Sequence, residues 1–156
     1  MMDEKASSFI EVAHCSVGVF IDKDFYEARK ILIPIFSSSD LFLLNYAAKF
    51  VHGIYSSVTI LDAGGLSQSD SRWQDEIFRI NKTGQENIQI LMGRAIDKSM
   101  LSRFDLMLVG YDNWEKLVKS KSVWLEHIPS SLIIRHIDAS HPGLRKGITP
   151  VASSEL

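Results

Sequence analysis

Apolar positions along this chain follow two different periods, and the change from one to the other is clearest between residues 30 and 51. Lys30-Ile31-Leu32-Ile33-Pro34-Ile35-Phe36 is a branched apolar run of strand length. The polar turn Ser37-Ser38-Ser39-Asp40 then separates it from Leu41, Leu44, Ala48 and Val51, which recur at steps of three and four. Together they predict a βα unit. Asp40 is expected to be the helix N-cap, because its short carboxylate can accept from first-turn amides, and Gly53 is placed to stop the helix. Ligands of open α/β sheets bind at the carboxyl ends of strands, which makes Phe36 to Asp40 the first place to look for a site.

The same switch of period recurs downstream. Strands are predicted at Tyr55 to Leu61, Asn87 to Met92, Asp105 to Gly110 and Ser131 to Arg135. Trp73, Ile77 and Ile80 predict a helix from about Ser71 to Asn81, ending at Lys82-Thr83-Gly84. A short helix is expected within Asp97 to Arg103, and one or two more within Tyr111 to Glu126, where Trp114, Leu117 and Val118 share a face. The alternation implies an α/β fold: a mostly parallel five-stranded sheet with helices on both faces. Pro34 has no amide to give, which argues for an edge strand or an interrupted strand end.

An additional strand is predicted at Cys15 to Ile21, with Cys15 buried in it. Only eight residues separate Ile21 from Lys30, too few for a helical crossover, so this strand should be an edge or antiparallel addition. Phe9, Ile10 and Ala13 suggest no more than one helical turn before it. After His136 the apolar runs cease, while Pro142, Gly143, Gly147 and Pro150 predict an ordered stub followed by a mobile tail. The expected organisation is a linker with an extra strand over 1–29, an α/β domain over 30–136 and a tail over 137–156.

Composition narrows the function classes. The chain has 156 residues, about one domain, with 46% hydrophobic and 23% charged residues. Seventeen Lys and Arg stand against 19 Asp and Glu, and no dense basic block occurs, which argues against nucleic acid as a partner. A single cysteine rules out an internal disulfide and is compatible with a reducing compartment. No signal peptide is apparent in the opening residues, and no run reaches the roughly 18 to 20 apolar residues of a membrane span; the chain reads as soluble.

Candidate chemistry is sparse. Neither the turn after Phe36 nor Gly110-Tyr111-Asp112-Asn113-Trp114 has the glycine spacing of a dinucleotide fingerprint, and no P-loop is present. The histidines do not take zinc-hydrolase spacing. Ser38, His52 and Asp62 make a triad only on paper, since no nucleophile elbow accompanies them. Asp22, Asp40 and Asp62 could meet near strand ends as acid/base groups or cation ligands, although capping or exposure accounts for each. Ser37 to Ser39 could hold an anion with free helix amides. Arg94 is the best isolated cation for a phosphate, if Met92-Gly93-Arg94 and Gly110-Tyr111 line one crevice. No catalytic constellation emerges, and the chain reads as a non-enzyme.

Three stretches resemble a known fold. Ala13-His14-Cys15-Ser16-Val17-Gly18-Val19-Phe20-Ile21-Asp22 is similar to the Ala-Pro-Cys-Ser-Val-Gly-Ile segment in the cytoplasmic carboxyl-terminal region of CPA2-type monovalent cation/proton antiporters. Lys30 to Asp40 with its following helix, and Phe104 to Gly110 with the strand Ser131 to Arg135, resemble universal stress protein domains more generally. The likeness spans about residues 13 to 136. It implies a universal stress protein-like domain on the cytoplasmic side of an inner-membrane antiporter, the chain being a second such unit that carries the last strand of a first. It also implies a homodimer paired through the last strand, with the antiporter's membrane domain as a partner.

Within that resemblance, Phe36 takes the place of the aspartate that ATP-binding members carry, and Asn113 stands where the phosphate loop has its second glycine. Gly110 is kept, while Lys121-Ser122 is the nearest match to the loop's final Gly-Ser. A nucleotide remains conceivable as a ligand, but the ATP motif is degenerate. The residues that a small ligand would meet are Phe36, Ser37, Ser38, Asp40, Arg94, Gly110 and Asn113, with a regulatory or assembly role as the leading reading and a stand-alone nucleotide-binding stress protein as the alternative.

Overall fold

A computed structural model describes residues 4–83 and 86–138. Six strands form one sheet: β1 (Val17–Ile21), β2 (Lys30–Ile35), β3 (Ser57–Asp62), β4 (Ile88–Met92), β5 (Leu106–Gly110) and β6 (Ser130–Arg135), in the order β1-β6-β5-β2-β3-β4. The five strands from β2 onward run parallel, and β1 lies antiparallel to β6 at the edge. The apolar runs become central strands because both sheet faces are covered. One core holds Ile31, Ile33, Ile35, Leu43, Ala47, Ile60 and Trp73. The other holds Leu32, Leu61, Met107, Val109, Trp114 and Ile133, on the alternate positions of the same strands.

The helices are α1 (Glu4–Val12), α2 (Leu44–Ile54), α3 (Leu66–Ser69), α4 (Ser71–Lys82), α5 (Lys98–Leu101) and α6 (Tyr111–Lys119), with 3-10 segments at Ser38–Leu43 and Val123–His127. No helix among the described residues is long and apolar enough to cross a membrane.

Several expectations are corrected. Pro34 does not mark an edge: β2 lies between β5 and β3, and the proline is tolerated because β2 pairs β5 only through Ile31 and Leu32 before the two strands part. The interrupted strand end is therefore the reading that holds. The amino-terminal segment is not a single turn but a nine-residue helix, which docks on the sheet through the fully buried Ile10. Cys15 precedes β1 and is exposed. Helix α2 runs past Gly53 to Ile54, and Tyr55 closes it in the left-handed conformation at φ 56°. Ala47, not Ala48, is the alanine fully buried on the stripe with Leu41, Leu44 and Val51. Leu66–Ser69, for which the periodicity predicts no element, forms the short helix α3. Strand β6 has β5 on one side and β1 on the other, so the pairing edge implied for a homodimer is taken within the chain. Gly84 as a helix stop and nearly all of the carboxyl-terminal tail lie outside the described residues.

Candidate functional site

From β2 the chain passes to β3 and β4 on one side and returns to β5 and β6 on the other, which makes the β2/β5 junction the switch point of the sheet. Two elements deliver side chains there. The turn after β2 brings Phe36 to Asp40, and the β5 end brings Gly110 and the first turn of α6. A cleft of about 1100 Å³ opens beside them, with Ser38, Ser39, Asp40, Gly110, Tyr111 and Asp112 among its walls.

Asp40 sits at the centre and is 1% exposed. It does not cap the helix as expected. The helical path begins two residues earlier as a 3-10 turn after Ser37, whose carbonyl accepts from the Asp40 amide at 3.0 Å. The Asp40 carboxylate instead turns back, and its Oδ2 accepts from the Phe36 amide at 2.9 Å and from Asn113 Nδ2 at 2.8 Å. Asn113 Nδ2 also lies 2.8 Å from Ser37 Oγ and 3.3 Å from Ser39 Oγ, and the two hydroxyls are 2.8 Å apart. Asp40 Oδ1 is buried with no hydrogen-bond partner among the described residues. Burial pushes the Asp40 carboxyl above its ordinary range, only partly opposed by the Phe36, Asn113 and Ser37 hydrogen bonds, while the Asp112 charge pushes the same way.

Two glycines let this arrangement close. A Cβ at Gly110 would stand 2.2 Å from Asp40 Oδ1, and one at Gly64 would stand 2.0 Å from the Phe36 carbonyl oxygen. Both are places where only glycine lets another group approach so closely. Phe36 itself stacks on Trp124, with ring centroids 6.2 Å apart and planes 5° from parallel. At the cleft wall, Tyr111 donates to Glu115 and Glu11; burial first, and then those carboxylates, push its phenol up to about 12.

Phe36, Ser37, Ser38, Asp40, Gly110 and Asn113 are thus brought together, but Arg94 is not. It lines a separate cavity of about 990 Å³ with Asp62, Gly64, Trp73 and Ile90 at the β3/β4 end, because two strands lie between β4 and β5. The single crevice joining Arg94 to Gly110 is therefore corrected. Asp22 is also elsewhere: antiparallel β1 ends opposite the start of β6, where Asp22 accepts from the Phe25 amide. Asp62 accepts from Leu66 and Ser67 amides and caps α3. His52 lies in the last turn of α2, which leads away from the turn holding Ser38, so the paper triad is not assembled. No group of three or more His, Cys, Asp or Glu among the described residues could hold a metal ion.

Sequence reasoning missed Trp124 and the role of Gly64, and it included Ser39 only as part of the anion-binding turn Ser37 to Ser39, not as a neighbour of Asn113. Gly64 was legible as a turn glycine, while its contact with Phe36 depends on the register that sets Ile35 beside Asp62. Chemically, the site spends its donors on its own acceptors: the Asn113 amide meets Asp40, Ser37 and Ser39, and the Phe36 amide meets a carboxylate instead of an incoming anion. Comparison with protein-family models, curated proteins and solved structures gives no match for this chain.

Proposed function

We propose that this domain is a non-catalytic cytoplasmic regulatory or assembly module of a CPA2-type monovalent cation/proton antiporter, with a universal stress protein-like fold. The observation that carries the non-catalytic part is the self-closed switch point. Where an α/β sheet of this kind offers backbone amides to a ligand, this chain places the Asp40–Asn113 pair, with Ser37 and Ser39 held beneath it. A buried carboxyl and Asp112 also make the position unfavourable for a polyphosphate. The antiporter part rests on the resemblance of residues 13 to 22, and the antiparallel placement of β1 against the last strand supports it, since a strand carried over from a neighbouring unit would meet this one edge to edge.

Such a module acts by biasing the arrangement of the assembly it belongs to, and a ligand or partner contributes only through its different affinity for the two arrangements. The test has two arms. Native mass spectrometry and calorimetry of the gently purified chain with ATP, ADP, AMP and cyclic dinucleotides are expected to show no tight complex. Everted vesicles from cells making the natural full-length gene product are expected to show cation-driven proton exchange whose pH or cation dependence shifts when this domain is deleted. A retained nucleotide would favour a stand-alone nucleotide-binding stress protein. Vesicles without exchange activity would remove the antiporter assignment.

A further inference from the structure

The cavity that holds Arg94 lies outward from the switch point, at the carboxyl ends of β3 and β4. It is not an arm of the first cleft. The two share no lining residue among the described residues. The gap between β2 and β3 is closed by the Gly64 amide, which donates to the Ile35 carbonyl at 2.9 Å, and by the Phe36 carbonyl pressed against the Gly64 backbone.

This second cavity joins an unfinished apolar surface to one unpaired charge. Helix α4 supplies Trp73 and Ile77, four residues apart and so on one face. Strand β4 supplies Ile90 and Met92, alternate positions on the sheet face that α4 covers. Trp73 is buried, but Ile77 and Ile90 are only half-buried and Met92 is 61% exposed. The chain then turns at Gly93, whose φ of 68° is left-handed, and Arg94 follows. Arg94 is exposed, and its guanidinium makes no hydrogen bond or ion pair among the described residues. No other Lys, Arg or His lines the cavity among them. The remaining charged wall is Asp62, which is 4% exposed and already satisfied: one oxygen accepts from the Leu66 amide at 2.8 Å and the other from the Ser67 amide at 2.9 Å.

We propose that this cavity binds an amphipathic monocarboxylate, with Arg94 taking the carboxylate and Trp73, Ile77, Ile90 and Met92 taking the apolar body. A planar guanidinium matches a carboxylate through two parallel hydrogen bonds. One unpaired cation selects one negative charge. A phosphate monoester brings a second charge, which meets no further cation and shares the cavity with the Asp62 carboxylate. An organic cation meets Arg94 and finds the Asp62 oxygens already held by amides. A small polar anion leaves Ile77, Ile90 and Met92 in water, whereas a hydrocarbon body covers them. The flexible thioether of Met92 adapts to bodies of different shape. This site is separate from the Asp40–Asn113 lock, and binding there is expected whether or not the domain belongs to an antiporter.

The probe is phenylbutyrate, titrated into the full chain and followed by proton–nitrogen correlation NMR. The Trp73 indole and the Gly65 and Gly93 amides are expected to shift, while Gly110 and Asn113 stay in place. For a ligand of roughly a dozen heavy atoms the expected Kd is below about 1 mM. Uncharged phenylbutyramide, cationic phenylbutylamine and inorganic phosphate are each expected to bind at least tenfold more weakly. Arg94→Gln should weaken phenylbutyrate at least tenfold and erase its advantage over the amide. The position is exposed, so the urea midpoint should match the wild type and separate lost binding from lost fold. Met92→Asp, at another exposed position, should also weaken binding by placing a like charge on the apolar wall. The absence of any shift up to about 5 mM phenylbutyrate would overturn the proposal. So would equal affinity for the amide, undiminished binding by Arg94→Gln, or shifts confined to Gly110 and Asn113, which would put the ligand in the first cleft.

Discussion

Asn113 spans 73 residues of sequence to bring its Nδ2 within 2.8 Å of Asp40 Oδ2, and this contact ties the turn after β2 to the first turn of α6. Both residues are buried, at 6% and 1% exposure, so neither group has bulk water as an alternative partner. In Asn113→Ala, Asp40 Oδ2 keeps the Phe36 amide but loses its side-chain donor, and Ser37 loses the same donor. The expected cost is about 1–3 kcal/mol, the range for a buried polar group left short of a partner. Urea denaturation of the two proteins measures it, and an unchanged midpoint would show that the lock contributes nothing to the fold.

The Asp40 carboxyl predicts a pH dependence of definite sign. Its folded-state pKa lies above 3.8, chiefly through burial, so the folded protein holds this proton more tightly than the unfolded chain. The resulting contribution is fully present below the unfolded value and is lost as pH rises through the folded one. Stability of the wild type relative to Asp40→Asn is therefore expected to fall as pH rises over that interval. Parallel pH dependences for the two proteins would show that this carboxyl does not titrate differently on folding.

What could be read from the sequence divides along the range of the interactions. The βα alternation, the central strands and α4 follow from local apolar spacing and were legible from it, and the eight-residue gap before Lys30 correctly required β1 to be an edge or antiparallel strand. Asp40 was found as a special residue but given the wrong partner. A short carboxylate after a strand ordinarily caps the next helix, and only the tertiary structure brings Asn113 close enough to turn it back. The extent of α1 was missed, because one buried residue, Ile10, in a polar helix leaves little periodic signal beyond a single turn. Arg94 was misplaced for a different reason: strand order decides which strand ends are neighbours, and hydropathy along the chain does not encode strand order.

The two close-approach glycines are expected to respond differently to the same methyl group. In Gly110→Ala the obstacle is a side chain, Asp40 Oδ1. The substitution should cost about 1–3 kcal/mol as overpacking, and less in an Asp40→Ala background where the carboxyl is gone. In Gly64→Ala the obstacle is the Phe36 carbonyl itself. No side-chain deletion relieves that clash, so the same Asp40→Ala background should leave its cost unchanged. A double-mutant cycle by chemical denaturation separates the cases, and equal coupling of both glycines to Asp40 would contradict the geometry.

Helix α1 gives a prediction about the amino-terminal segment. Ile10 is fully buried among Leu32, Tyr111 and Ile133, while Arg135 donates to the carbonyls of Ile10 and Glu11 at the helix end. Ile10→Ala should cost about 2–5 kcal/mol, as for other large-to-small changes in a core. Phe9→Ala, at a position 60% exposed, should stay within about 0.5 kcal/mol. Thermal or urea melts decide, and similar losses from both would mean that α1 is not docked through Ile10.

Phe36→Asp tests whether one residue withholds ATP binding. On the proposed stress-protein reading, the substitution supplies the carboxylate that ATP-binding members carry at this turn, but it leaves Asn113 where a glycine would let backbone amides approach a triphosphate. It also removes a ring stacked on Trp124 and sets a second carboxylate four residues before the buried Asp40, among the same turn's hydrogen bonds. The expected result is a less stable protein that gains no ATP affinity by calorimetry. Phe36→Asp with micromolar ATP binding would show that the loop after β5 already admits a triphosphate, and would move the block from the Asp40–Asn113 pair to the Phe36 ring alone.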